Sequence, residues 1–130
     1  MKTLSIRTDS PEAELGVFEN EKELVYYKWQ ADRQLAKGLN SEIRKILNKL
    51  SIKPDDLGGI VVFKGPGSFT GLRIGVAVAN TMAYALNIPI VATNGKNWRE
   101  AGLEKLSQGQ NDLIALPEYD RPAATTLPKK

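Results

Sequence analysis

Between Lys64 and Gly75 the chain reads KGPGSFTGLRIG, a stretch that crowds together several groups able to do chemistry. Gly65 and Gly67, around Pro66, allow a tight turn and the close approach of another group. Ser68 and Thr70 offer hydroxyls. A helix beginning at Gly71 points free N–H groups and the positive end of its dipole at whatever lies before it, which favours an anion. Phosphate binding is therefore the first chemistry to weigh. The standard phosphate loops do not fit. The dinucleotide pattern needs glycine at its sixth position, where Thr70 stands, and the Walker pattern closes on Gly-Lys-Ser/Thr, where this stretch closes on Thr70-Gly71-Leu72. A helix start with a turn packed beneath a neighbour accounts for the same residues.

Elsewhere the composition excludes more than it offers. The 130 residues contain no histidine and no cysteine. That removes disulfide scaffolds, thiolate zinc or iron–sulfur sites, cysteine nucleophiles, the Ser-His-Asp triad and imidazole ligands. Any catalysis would fall to Lys, carboxylates, hydroxyls or backbone groups. The 18 Lys and Arg against 15 Asp and Glu give a net charge of +3, which permits an RNA-associated role without arguing for one. The length suits one domain with a core of its own. The amino terminus, MKTLSIRTDS, has no continuous apolar run of the signal-peptide kind. The apolar stretch near 74–86 is interrupted by Asn80 and Thr81 and is too short to span a bilayer. A cytoplasmic location is expected.

The elements that must position the 64–75 stretch follow from pattern. Residues 2–8, 13–19 and 23–29 read as three strands joined by short turns, an antiparallel meander. Residues 30–38 read as a connection with some helical character. Asn40 or Ser41 is placed to cap a helix over 41–50, where Ile43, Ile46, Leu47 and Leu50 form one apolar stripe and Arg44, Lys45 and Lys49 a basic face. Residues 59–64 read as a strand buried on both faces, 71–86 as a long helix, 90–93 as a strand and 96–107 as a last helix. The expected fold class is α/β: a mixed five-stranded sheet, strands 1–3 antiparallel and then parallel strands reached through helices. The domain organisation expected is a lobe over 1–107 with an extended tail over 108–130.

The helix 71–86 has a second feature. Gly71, Gly75, Ala79 and Ala83 recur every fourth residue and form a ridge almost without side chains, while Leu72, Ile74, Val76, Val78 and Met82 make the rest apolar nearly all round. Such a helix is buried. Either the ridge packs on the chain's own sheet or helix, or a partner chain covers it. On the second reading the interface comprises Gly71, Leu72, Ile74, Gly75, Val78, Ala79, Met82 and Ala83, with Ile43 and Leu47 beside them, and Gly75→Leu weakens association while leaving the fold partly intact. The motif loop is Gly65, Pro66, Gly67, Ser68, Phe69 and Thr70, with Arg73 holding its shape.

GPGSFTGLRIG following a hydrophobic strand resembles the signature of the TsaB (YeaZ) family, whose members act in making N6-threonylcarbamoyladenosine (t6A) in tRNA. The resemblance covers about residues 1–107, the amino-terminal lobe of that family's actin-like, RNase-H-like fold. Leu116-Pro117-Glu118-Tyr119-Asp120-Arg121-Pro122 is similar to a stretch near the family's carboxyl terminus, so the chain looks like a minimal form lacking most of the second lobe. The resemblance implies a noncatalytic subunit with no cofactor and no metal site. Its implied partners are a TsaD-type catalytic subunit and a TsaE-type ATPase in the same assembly, with a homodimer through the same helices as an alternative and tRNA met indirectly. A nucleotide-binding remnant and a small tRNA-binding module are the competing readings.

One departure bears on the first of these. Where the family and the actin-like ATPases usually end the first strand in Asp-Thr, this chain has Arg7-Thr8, which argues against a Mg–nucleotide site. Asp9 is expected on the other face. The basic face of 41–50 could meet tRNA phosphates or simply be solvated. Tyr26, Tyr27 and Trp29 could stack on bases or fill a core.

Overall fold

A computed structural model describes residues 1–31, 34–67 and 69–118. Ser68 and the residues from Tyr119 onward, which carry part of the family-like tail stretch, lie outside the described residues.

Five strands form one sheet. β1 (Lys2–Arg7), β2 (Glu12–Glu19) and β3 (Lys22–Gln30) build the expected meander, and β4 (Leu57–Phe63) and β5 (Ile90–Thr93) extend it in the order β3-β2-β1-β4-β5. β1 pairs antiparallel with β2 (Leu4 opposite Val17) and parallel with β4 (Leu4 opposite Ile60), and β4 pairs parallel with β5. The strand order places the ends of β1 and β4 side by side, the switch point at which open α/β sheets receive ligands.

Helix α1 (Leu35–Lys49) begins six residues before the expected start at 41. Leu35 and Leu39 extend the buried stripe of Ile43, Ile46 and Leu47 by another two turns, and that burial outweighs the weak helix preference of Gly38. Neither Asn40 nor Ser41 caps the helix: both lie inside it, and Gln34 precedes its first turn. A short 3-10 turn, Pro54–Asp56, leads into β4. Helix α2 (Phe69–Leu86) joins β4 to β5, and α3 (Trp98–Ser107) follows β5.

The helices divide between the two faces. On one, α1 and α2 cover Leu4, Ile6, Ile60, Val62, Ile90 and Ala92. On the other, α3 sets Trp98 and Leu106 against Val61, Phe63 and Val91. The Phe63 and Trp98 rings meet edge to face with centroids 5.7 Å apart. Alternation along β4 and β5 supplies apolar side chains to both cores, which is why β4 reads as an unbroken apolar run, whereas β1 gives Leu4 and Ile6 to one core and turns Thr3 and Ser5 to the other face.

Residues 109–118 return across the edge of the sheet. Asp112 N–H donates to the Ile90 carbonyl at 2.7 Å, and Ala92 N–H donates to the Asp112 carboxylate at 2.8 Å. The Asn80 amide on α2 then holds Ala115 at both ends, donating to its carbonyl at 3.0 Å and accepting from its N–H at 2.8 Å. This part of the expected tail is packed, with Ala115 buried.

Candidate functional site

The motif loop begins where β4 ends. Lys64 N–H donates to the Thr93 carbonyl at 2.8 Å and the Lys64 carbonyl accepts from Glu118 N–H at 2.6 Å. Gly65 has φ +105 and is followed by a cis bond to Pro66. A side chain at Gly65 would strike the Glu118 carbonyl, and one at Gly67 would strike the Asp9 side chain. The two glycines thus serve a close approach, as read from the sequence, but the approaching groups belong to this chain. Phe69 opens α2, and Thr70 and Arg73 are exposed on its first turns.

At the end of β1, Arg7 and Asp9 form a two-bonded ion pair. Arg7 Nε donates to Asp9 Oδ1 at 2.7 Å and its terminal nitrogen to Oδ2 at 3.1 Å. The guanidinium also lies 3.8 Å from the centre of the Phe63 ring. The Asp9 hydrogen bond holds the Arg7 pKa above its ordinary value against partial burial. The expectation that Asp9 faces away is corrected: β1 ends at Arg7, and the bend that follows brings the Asp9 carboxylate back to the guanidinium.

A metal-bound nucleotide of the kind the actin-like fold implies does not suit these residues. The position for an acidic ligand holds a cation, that cation is already paired, and a phosphate beside Gly67 would meet the Asp9 carboxylate. Among the described residues no group of three or more acidic, His or Cys side chains is arranged to hold a metal ion.

The small-residue ridge of α2 packs on its own sheet. Thr8 Oγ1 donates to the Gly71 carbonyl at 2.7 Å, and a side chain at Gly75 would collide with Thr8. Leu72, Gly75, Ala79 and Ala83 are buried, as are Ile43 and Leu47 on α1. Of the residues assigned to an interface from the sequence, Gly71, Ile74, Val78 and Met82 retain some exposure, the last three on an outer ridge that also carries Arg73, Ala77, Thr81, Tyr84 and Ala85. Tyr84 is 90% exposed. Two shallow hollows meet at Ala77 on this ridge, about 310 Å³ beside Thr70, Arg73 and Ile74, and about 170 Å³ between Asn40 on α1 and Val78, Thr81 and Met82, and a larger one of about 540 Å³ lies at its far end beside Tyr84 and Ala85. Sequence reading missed Ala77, Thr81, Tyr84 and Ala85, because a helix apolar on every side gives no phase to tell its outer face.

Tyr26, Tyr27 and Trp29 divide between faces. Tyr27 and Trp29 stack, centroids 5.7 Å apart, against the core under α1. Tyr26 lies opposite, donating its hydroxyl to Glu14 beneath the Arg99 guanidinium.

A family model described as TsaD, tRNA N6-adenosine threonylcarbamoyltransferase, matches residues 29–97, more than half of the chain. The chain belongs to this family. The Bacillus subtilis tRNA threonylcarbamoyladenosine biosynthesis protein TsaB is 52% identical over 52 residues, which cover 40% of this chain and 23% of that protein. The Geotalea uraniireducens tRNA N6-adenosine threonylcarbamoyltransferase is 34% identical over 64 residues, 49% of this chain and 19% of that one. YeaZ from Pseudomonas aeruginosa superposes with a TM-score of 0.67 at 24% identity, over 72% of this chain and 43% of that one. Thermus thermophilus RuvC superposes with a TM-score of 0.54 at 13% identity, over 95% of this chain and 84% of that one, which shows the fold alone. The sheet and helices are those of the actin-like, RNase-H-like fold. The matched segment spans less than a quarter of the curated TsaB relatives' length. The TsaB relatives are named as proteins of tRNA threonylcarbamoyladenosine biosynthesis.

Proposed function

We propose that this chain is a noncatalytic subunit that pairs with a TsaD-type catalytic subunit and supports t6A formation on tRNA. The observation that carries the reading is the outer ridge of α2. Ile74, Ala77, Val78, Met82, Tyr84 and Ala85 leave an apolar strip open to solvent on a helix whose sole charge is Arg73. Contiguous apolar strips of this kind mark protein contacts. The Arg7–Asp9 pair speaks for the noncatalytic part, since it fills the ligand crevice with the chain's own charges. A TsaE-type ATPase joins the same assembly, and the pairing takes place in the cytoplasm. No helix among the described residues is long and apolar enough to cross a membrane.

Light-scattering mass after gel filtration tests the pairing, on the chain alone and mixed with a TsaD-type subunit. A one-to-one complex is expected. A chain that elutes at its own mass in the mixture overturns the proposal, and one that elutes at twice its mass shows the ridge committed to a second copy.

A further inference from the structure

We infer that the solvent face of α1 is a docking surface for the phosphate backbone of RNA, giving tRNA a direct contact on this chain. Helix α1 contains four of the 18 Lys and Arg residues and one of the 15 Asp and Glu residues, which leaves fourteen of each sign elsewhere. The chain's net charge of +3 is therefore the charge of this helix. Lys37, Arg44, Lys45 and Lys49 are all exposed. From Lys37 to Lys49 they extend roughly 18 Å along the axis at 1.5 Å per residue. Asn40, Ser41 and Asn48 are exposed among them and add neutral hydrogen-bonding groups. The single acid, Glu42, is turned inward and spanned by Lys45 at 3.5 Å. Lys53, just past the helix, is exposed as well.

A face that is merely solvated usually mixes signs, because acid–base pairs three or four residues apart stabilise the helix and like charges oppose it. This face carries nearly one sign, on a chain otherwise neutral. A ligand uniformly negative along its length complements it, and a phosphate backbone has that property. The neighbouring helix supplies the contrast: the outer ridge of α2 is apolar and suits a protein. The two surfaces lie side by side, so a bound partner and a bound RNA would be adjacent. The inference rests on the preceding reading only for the choice of tRNA as the polyanion.

Fluorescence anisotropy with a labelled, unmodified tRNA transcript tests it, using the whole chain and two variants of equal charge change. Arg44→Glu/Lys49→Glu reverses the α1 face, and Lys22→Glu/Lys96→Glu reverses two exposed lysines elsewhere. The wild type should bind at low salt with log K falling by about 3 per decade of salt, the slope of roughly four phosphate contacts. The α1 variant should lose at least tenfold in affinity and the control less than twofold, with unchanged circular dichroism in both. Equal losses in the two variants, or no wild-type binding at low salt, overturn the inference. Gel filtration of the α1 variant with the TsaD-type subunit separates the two readings. Retained pairing with lost RNA binding is expected, and lost pairing with intact RNA binding makes the face a protein contact and overturns the inference. If the wild type binds RNA yet never pairs, the subunit proposal fails and this one stands.

Discussion

Thr8 fills the space in front of Gly75. Its hydroxyl donates to the Gly71 carbonyl one turn earlier, and its Cβ and Cγ2 would each lie 3.0 Å from any Cβ added at Gly75. The end of β1 is thereby locked to the first turns of α2, and the glycine is required by this chain's own fold. Gly75→Ala should cost about 2 kcal/mol, the usual scale for an overpacked core site. Thr8→Ala in the same background should recover part of the loss, because it removes the hydroxyl and Cγ2 and leaves only the Cβ. Urea unfolding of the two single variants and the double variant checks this, and strict additivity would dissociate the two residues. By the same contact Gly75→Leu should lose fold and association together, so it does not probe the interface.

Ala77 is the better probe. It is exposed at the middle of the outer α2 ridge and borders the two smaller hollows. Ala77→Glu places a charge where a partner would have to desolvate it, at little cost to the isolated fold. Affinity for the TsaD-type subunit should fall at least tenfold while the melting temperature shifts by a degree or two. Unimpaired pairing would move the interface off this ridge.

The meander and the α2 and α3 segments were legible in the sequence, because alternation and helical period are local signals, while Phe69 and Thr70, read as loop, belong to the first turn of α2. The start of α1 was not, since Gly38, Asn40 and Ser41 look locally like a break and a cap, while the burial of Leu35 and Leu39 is decided by the sheet beneath them. Nor was the direction of the small-residue ridge. Gly71 and Gly75 meet Thr8, whose hydroxyl bonds a carbonyl 63 residues away, and no window of sequence contains both partners. The docking of 109–118 likewise depends on Asn80, 35 residues before Ala115. What the sequence did carry at the site was its chemistry: Arg7 in place of an acid is visible at once, although its pairing with Asp9 required the backbone to turn after β1.

That pairing can be weighed directly. Arg7→Ala leaves Asp9, whose side chain is only 15% exposed, without its two hydrogen bonds. The loss should be about 1–2 kcal/mol, the range for a partly buried, charge-assisted contact. Arg7→Lys keeps the charge but lacks both the planar fork and the stacking on Phe63, so it should recover less than half. Full recovery by lysine would reduce the contact to simple charge attraction.

Glu14 lies opposite Arg7 in the β1–β2 register and accepts the Tyr26 hydroxyl. Burial raises its pKa above the ordinary value of 4.5, with Asp9 adding to the rise and Arg7, Lys28 and Arg99 opposing it. A carboxyl raised in the native state holds its proton more tightly than in the unfolded chain. Its stabilising effect is therefore complete below 4.5 and fades as the pH climbs through the native value. Glu14→Gln keeps an acceptor for Tyr26 and never ionises. The variant and the wild type should melt at similar temperatures at pH 4, and the variant should melt higher at pH 7. A wild type that gains on the variant as pH rises would mean that attraction to Arg7 outweighs the cost of burying the charge.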